Sequence, residues 1–365
     1  MSLYAVIMAG GVGSRFWPRS RRSRPKQFLD VLGPDSLIQN TFARLQPLVQ
    51  PENVFVVTNE DYISQTQEHL PAIPLGNILG EPIARNTAPC IAFAAARLLA
   101  LDPEAVMIVL PADHLIRNVS RFHEVLHAAV AKAQESGSLV TIGIEPTHPA
   151  TGYGYIQYDS SVRDDWDDVP QAYAVKTFAE KPDLATAERF LDTGDFLWNS
   201  GMFIWRADTV LETMRRHLPD VHRAFMPLSS AFHDEENTTA AVREAYTHSP
   251  KISIDYGVME PAAAEGNVYV VPGAFGWSDV GDWKAVYDLS EKDASGNAVE
   301  GNVLLHNTSR SYAKADKNRL LALVGMRDTV VVDTGDAVLV CKLDATQQVK
   351  TIVDYLSSHG MDGSV

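Results

Sequence analysis

With 365 residues and 45% hydrophobic side chains, the chain has material for one large domain and a smaller one, and long disorder is not expected. Its formal net charge of −15 argues against a nucleic-acid groove or an anionic membrane surface as the main partner. No apolar run approaches the ~20 residues of a membrane span. Cys90 and Cys341, the only cysteines, have no metal-type spacing. Together with an N-terminus that enters its first strand at once, leaving no room for a signal peptide, this predicts a reduced, cytoplasmic compartment.

The first element is residues 4–8, a short apolar run of the length of a buried parallel strand. Ala9-Gly10-Gly11-Val12-Gly13-Ser14 follows, a small-residue loop whose backbone N–H groups can approach an anion. Arg15, Arg19, Arg21, Arg22, Arg24 and Lys26 then place six cations within twelve positions of an acidic chain. Such a concentration points to a polyanion site rather than a merely solvated basic loop. Neither common phosphate fingerprint fits: no Gly-Lys follows the loop, and Phe16 stands where a dinucleotide loop needs its third glycine.

Beyond the loop, strand-like and helix-like segments alternate. Residues 37–48 read as a helix, 53–58 as a strand, 61–70 as a short helix closed by Pro71, and 87–101 as an Ala-rich helix capped by Asn86 or Thr87. Residues 105–110 read as a buried strand, 119–136 as a helix and 139–144 as another strand. This alternation predicts an α/β fold with a mostly parallel sheet covered on both faces. In such sheets ligands sit beyond the carboxyl ends of the strands, so the loops at 9–14 and 111–114 should face one crevice.

From Gly152 the pattern changes. Residues 154–158, 172–179 and 201–205 read as mixed or antiparallel strands, with an exposed acidic loop at 164–168. Helices follow at 207–217, 220–232 and 237–248, and 283–289 closes this part. The tail carries short β-type runs at 302–306, 320–324, 329–333 and 337–342 and a last helix at 347–356. The organisation read from these patterns is a catalytic domain over 1–290 and a small β-rich domain over 291–365.

The segment GGxGxRxxPxS…PKQF resembles the signature of the sugar-phosphate nucleotidyltransferases, specifically the mannose-1-phosphate guanylyltransferases. The resemblance continues, in order, through EPIARNTAPC, LPADH, GYGYI, FAEKP, WNSGMFIW, SIDYGVME and WSDVGDW. It implies a Rossmann-like GT-A nucleotidyltransferase fold with a small β-helix-like C-terminal domain used in assembly, hence a homodimer. It implies transfer from GTP to mannose 1-phosphate with Mg2+. A different hexose 1-phosphate or NTP, or a non-catalytic nucleotide-sugar-binding paralogue, are the alternatives. The paralogue should have lost charged site residues, yet Arg15, Lys26, Asp113 and Asp279 are all present. Some relatives carry a further isomerase domain with a zinc-type cluster; the tail here offers only His306 and His359, so that activity is not expected.

The reaction sets anion against anion, and a pair of unit charges 4 Å apart repels by about 4 kcal/mol at an effective dielectric of 20. The protein must supply cations and positioning more than a base. By resemblance, Arg15 holds the β,γ-phosphates and Lys26 stabilises charge at the α-phosphate, with Gly10, Gly11, Gly13 and Ser14 lining the nucleotide. Asp113, at the end of a strand, and Asp279 are the carboxylates for magnesium, which takes hard oxygen ligands. Asp282, three residues later, reads as a helix cap, and His114 as structural. Guanine's N1–H and 2-amino edge suits Glu81, with Asn86 and Thr87 either completing the base site or capping the following helix. Gly154, Glu180, Lys181, Asn199 and Asp255 fall in the sugar-side motifs. Trp198, Trp205 and Trp277 read as core or pocket wall.

Overall fold

A computed structural model describes residues 2–159, 169–232, 235–361, 363 and 365. The acidic loop expected at 164–168 lies outside them. The strands of the first part are β1 (Leu3–Ala9), β2 (Val54–Asn59), β3 (Ile78–Glu81), β4 (Val106–Pro111), the two-residue β5 (Leu115–Ile116), β6 (Leu139–Ile144), β7 (Gly154–Tyr158), β8 (Tyr173–Glu180), β9 (Phe196–Arg206), β10 (Val268–Pro272) and the two-residue β11 (Trp277–Ser278). The helices among them are α1 (Leu37–Ala43), α2 (Ile63–His69), α3 (Thr87–Leu101), α4 (Val119–Ser136), α5 (Leu184–Thr193), α6 (Ala207–His217), α7 (Pro219–Phe225), α8 (Leu228–Ala231), α9 (Glu235–His248) and α10 (Glu260–Ala264).

By its internal contacts the chain divides into two compact units, each built from several stretches of sequence. One comprises Met1–Gly10, Phe42–Ala112 and Ile116–Trp277; the other comprises Gly11–Thr41, Asp113–Leu115 and Ser278–Val365. The first is built on a nine-stranded sheet ordered β3-β2-β1-β4-β9-β6-β10-β8-β7. The four strands β3-β2-β1-β4 run parallel. The rest is mixed: β9 runs antiparallel to β4, β6 and β7, and β8 antiparallel to β7 and β10. Parallel pairing is unbroken in the first half, and in the second, where mixed strands were expected, it persists between β6 and β10.

Local sequence explains several of these elements. Asn86 caps α3, and the alanines of that helix are buried against the aliphatic faces of β1, β2 and β4 in one large core. Asn118 caps α4 by accepting from the Arg121 N–H at 3.0 Å, and Gly137 ends it in the left-handed region. The helix expected over 37–48 stops at Ala43, because Pro47 has no N–H to continue it. The helix expected over 220–232 is split into α7 and α8, with Pro227 as the N-cap of α8. Parallel register aligns Met8 with Pro111 and Asn59 with Glu81, so the carboxyl ends of β1, β4, β2 and β3 share one edge. There the Ala112 N–H donates to the Met8 carbonyl at 3.0 Å.

The second unit adds α11 (Trp283–Leu289), β12 (Ala298–Glu300), β13 (Val303–His306), β14 (Tyr312–Lys314), β15 (Leu321–Val324), β16 (Thr329–Asp333), β17 (Val338–Lys342) and α12 (Val349–Ser358). Strands β12, β14 and β16 stack in parallel, and β13 stacks on β15, as in successive turns of a β-helix. The core of this unit joins the glycine-loop segment to the tail: Phe16, Leu29, Val31 and Leu37 pack with Trp283, Tyr312, Val330 and Val349. The Phe16 and Trp283 rings are 5.2 Å apart, and the indole N–H of Trp283 donates to the Trp17 carbonyl at 3.1 Å.

Candidate active site

The phosphate-side residues lie in the second unit. After Gly13, in the left-handed region at φ 71°, the chain turns through a short 3-10 segment from Ser14 to Phe16. Gly13 has a second reason to be glycine: a Cβ there would stand 2.3 Å from the Cβ of Lys26. The Lys26 N–H donates to the Val12 carbonyl at 3.0 Å, and Ser20 Oγ donates to the Gly13 carbonyl at 2.8 Å, which folds the lysine back onto the loop. Its buried ammonium donates to Asp113 Oδ2 at 2.6 Å and to the Asp279 backbone carbonyl at 2.9 Å. Lys26 thus joins three segments remote in sequence. Burial pushes the Asp113 carboxyl upward, but the Lys26 and His114 charges, with hydrogen bonds from Lys26 and the backbone, together outweigh it and hold the acid below the ordinary carboxylate range.

The other cations separate by partner. Arg15 is exposed and has no ion-pair partner among the described residues. Arg19 is engaged by Asp30, as is Arg24 at 3.2 Å, and Arg21 reaches Asp336 at 3.0 Å. These three brace the loop. Asp282 is engaged too: Oδ1 caps α11 by accepting from the Ala285 N–H, and Oδ2 accepts from Thr346 and Gln347 at 2.9 and 2.7 Å. It serves as the cap its sequence position suggested.

The base-side residues lie in the first unit. Glu81 ends β3 and is buried. Its Oε1 accepts from the Tyr246 hydroxyl at 3.0 Å, while its Oε2 faces Gly10, where a Cβ would stand 3.6 Å away. Burial pushes the Glu81 carboxyl up to about 7, against the hydrogen bond from Tyr246. Burial also raises the Cys90 thiol, with the nearby Glu81 adding to it. Asn86 Oδ1 accepts from the Thr87 N–H, and Thr87 Oγ1 accepts from the Ile254 N–H at 2.9 Å. Both therefore have capping and bracing work. Arg85 ties the same loop to α9 through the Tyr246 and Thr247 carbonyls.

The sugar-side residues form a second cluster in that unit. Gly154 makes room for it: a Cβ there would stand 2.5 Å from Glu180 Oε2. Asn199 Nδ2 donates to Asp255 Oδ1 at 2.8 Å, and Asn199 Oδ1 accepts from the Gly201 N–H at 3.0 Å. Lys181 pairs with Glu180. Burial, then the neighbouring Glu180, push the Asp255 carboxyl up to about 6. Burial tends to lower the Lys181 ammonium, but Glu180 outweighs it and raises it. Tyr153 stands edge-on between Trp198 and Trp277 at 5.0 and 5.6 Å, so these two tryptophans form an aromatic wall, while Trp205 is core. All five residues expected here come together.

Two participants were not found from sequence. Tyr246 is 165 positions from the Glu81 it holds and reads as an ordinary helix-core aromatic. Glu260, raised by burial and Glu180, follows a run of π-helix from Asp255 to Met259 that no periodicity announces.

The nucleotidyl transferase family model matches residues 4–296, and the MannoseP isomerase/GMP-like beta-helix domain model matches 301–356. The first covers most of the chain, so the protein is a nucleotidyltransferase in class. The xanthan biosynthesis protein XanB of Xanthomonas campestris pv. campestris (strain B100) is 41% identical over 357 residues, 97% of this chain and 73% of that protein. The mannose-1-phosphate guanylyltransferase of Escherichia coli (strain K12) is 41% identical over 362 residues, 98% of this chain and 74% of that protein. The chain thus spans about three quarters of the length of these relatives. A crystal structure from Thermus thermophilus, named a mannose-1-phosphate geranyltransferase, superposes with TM-score 0.85 at 35% identity, covering 98% of this chain and all of that one. This chain belongs to the mannose-1-phosphate guanylyltransferase family of nucleotidyl transferases and is an enzyme of that kind, acting on a nucleoside triphosphate and a sugar phosphate.

Proposed function

We propose that the enzyme transfers the guanylyl group of GTP to α-D-mannose 1-phosphate, giving GDP-mannose and pyrophosphate. A phosphate oxygen of the sugar phosphate forms the new bond to the α-phosphorus as the bond from that phosphorus to the β-bridging oxygen breaks. The nucleophile arrives ionised, so no residue is needed to remove a proton from it. The barrier is dominated by charge and alignment, which fixed cations address. One observation carries this reading: the buried Lys26 ammonium, folded over Gly13, touches both Asp113 and the Asp279 backbone. In it Lys26 faces the α-phosphate, and exposed Arg15 takes the departing pyrophosphate. Glu81 Oε2 accepts from the guanine N1–H and 2-amino group, and the Glu180, Asn199 and Asp255 cluster holds the sugar hydroxyls. Gly10, Gly11, Ser14, Asn86, Thr87, Gly154 and Lys181 line these pockets in supporting parts.

Magnesium suits Asp113, which is held ionised with its side chain about a third exposed, and Asp279, whose backbone carbonyl meets the same Lys26 ammonium, is the second carboxylate proposed for it. When bound there, the ion neutralises phosphate charge. We further propose a homodimer working in the cytoplasm. The apolar side chains of Leu304, Val324 and Val340, exposed on the tail strands, support the dimer.

The test is pyrophosphate release over a matrix of four NTPs and several hexose 1-phosphates, with and without a chelator. GTP with mannose 1-phosphate should give the highest kcat/KM, and chelation should abolish turnover. Equal use of dTTP would remove the guanine assignment.

A further inference from the structure

One cavity in the first unit has no part in the reaction described above. It is a partly open pocket of about 440 Å3 at the β3 edge of the large sheet, within the size range of small-molecule sites, which runs from about 300 to 1,000 Å3. Ile78 and Gly80 supply the strand side, Phe93 and Arg97 come from one face of α3, and Phe232 and Val242 close it. The surface is therefore largely apolar, with one cation set in it.

That cation is unusual in its company. Arg97 is half-buried, its guanidinium lies 5.0 Å over the Phe232 ring, and it has no carboxylate partner among the described residues. Burial lowers its pKa, with no acid offsetting that. The other charges at the cavity cancel: Arg243 pairs with Glu60 at 3.1 Å. Among the described lining residues one positive charge thus has no acidic partner, beside aromatic and aliphatic side chains, which favours an anion of matching build.

We propose that this cavity binds a small organic anion with an apolar body, its acidic group on Arg97 and its body against Phe93, Phe232 and Val242, and that its occupancy changes the enzyme's affinity for nucleotide. The second part rests on the reading of Glu81 as the base acceptor. Gly80 of the cavity wall immediately precedes Glu81. Phe93 stands edge-on to Tyr246 at 5.7 Å, and Tyr246 holds Glu81. An occupant that moves Phe93 acts on the support of that carboxylate, and by linkage GTP must alter the occupant's affinity by the same factor.

The probe is 8-anilinonaphthalene-1-sulfonate, titrated by fluorescence into the full-length enzyme without nucleotide. N-phenyl-1-naphthylamine, the same rings without the sulfonate, is the neutral control. One sulfonate probe should bind per chain. Arg97→Met should weaken it at least tenfold while leaving the neutral control unchanged, and Arg97→Lys should retain most of the binding. Thr239→Trp, placed to fill the cavity, should block both probes, and it serves if Arg97→Met fails to fold. Sulfonate binding unchanged in Arg97→Met and in Thr239→Trp would overturn the site. Saturating probe should shift the GTP Kd severalfold, with the reciprocal shift in probe Kd; an unshifted GTP Kd would overturn the coupling. Failure of the Glu81 reading is seen separately, as an unchanged GTP Kd in Glu81→Gln without probe.

Discussion

Replacing Glu81 with Gln should change stability in a way that depends on pH, and the structure sets the size of the effect. Glu81 is 7% exposed. Its carboxyl is raised from an ordinary 4.5 to about 7. That difference of about 2.5 units corresponds to roughly 3 kcal/mol at about 1.36 kcal/mol per unit. Because the folded pKa lies above the unfolded one, the contribution is complete below about pH 4.5 and is lost as pH rises through about 7. Between pH 5.5 and 8.5 the wild type should therefore lose roughly 2 kcal/mol that the variant keeps. The glutamine carbonyl can still accept from Tyr246, so the hydrogen bond itself is not the variable. Urea unfolding of both proteins at the two pH values reads the difference, and the advantage of Glu81→Gln should grow toward pH 8.5. The same advantage at both pH values would mean that the carboxyl is not buried as described. In the same series GTP should bind more tightly to the wild type as pH rises past 7. Glu81→Gln should weaken GTP by about ten- to a hundredfold, the worth of a hydrogen bond to a charged group.

Gly13→Ala should cost some stability and at least about a hundredfold in the kcat/KM of the folded protein, because its methyl group, in a left-handed backbone position, forces Lys26 or the loop to shift by about an ångström or more. Circular dichroism with turnover checks this, and near-normal turnover would remove the close packing from the account. Trp283→Ala should cost about 4 kcal/mol, the range for deleting a fully buried large aromatic side chain. It should also reduce turnover under conditions where the protein remains folded, since Trp283 packs on Phe16 and holds the Trp17 carbonyl. Lost stability with untouched turnover would show that the tail does not brace the loop.

What could be read from the letters was local. Helix α3 was legible from Asn86 and its alanines, because caps and composition lie within a few residues of the element they mark, and α4 was read over its full extent. Strand β10 went unread although its Val-Tyr-Val-Val run is strand-like, and the three-residue strands β12 and β14 are too short for their own pattern to mark them apart from their partners. The site residues were assigned largely through motif resemblance. Spacing alone could not bring Asp113 and Asp279 onto one ammonium, because the fold closes that gap. Nor could charge density separate Arg15 from Arg19, Arg21 and Arg24, whose acidic partners are Asp30 and Asp336. The bracing of the glycine loop by the tail was likewise invisible, because Phe16 and Trp283 meet across more than 260 positions.

The central claim is that the Lys26 ammonium, fixed by Asp113 and the Asp279 backbone, stabilises charge that develops during transfer. Single-turnover rates and equilibrium GTP binding measured side by side on Lys26→Ala test it most directly. The account predicts a rate lowered by about 10²- to 10³-fold, the loss seen when one donor to a developing oxyanion is removed, with GTP affinity changed only a fewfold. A GTP affinity that collapses while the rate at saturation is preserved would contradict it.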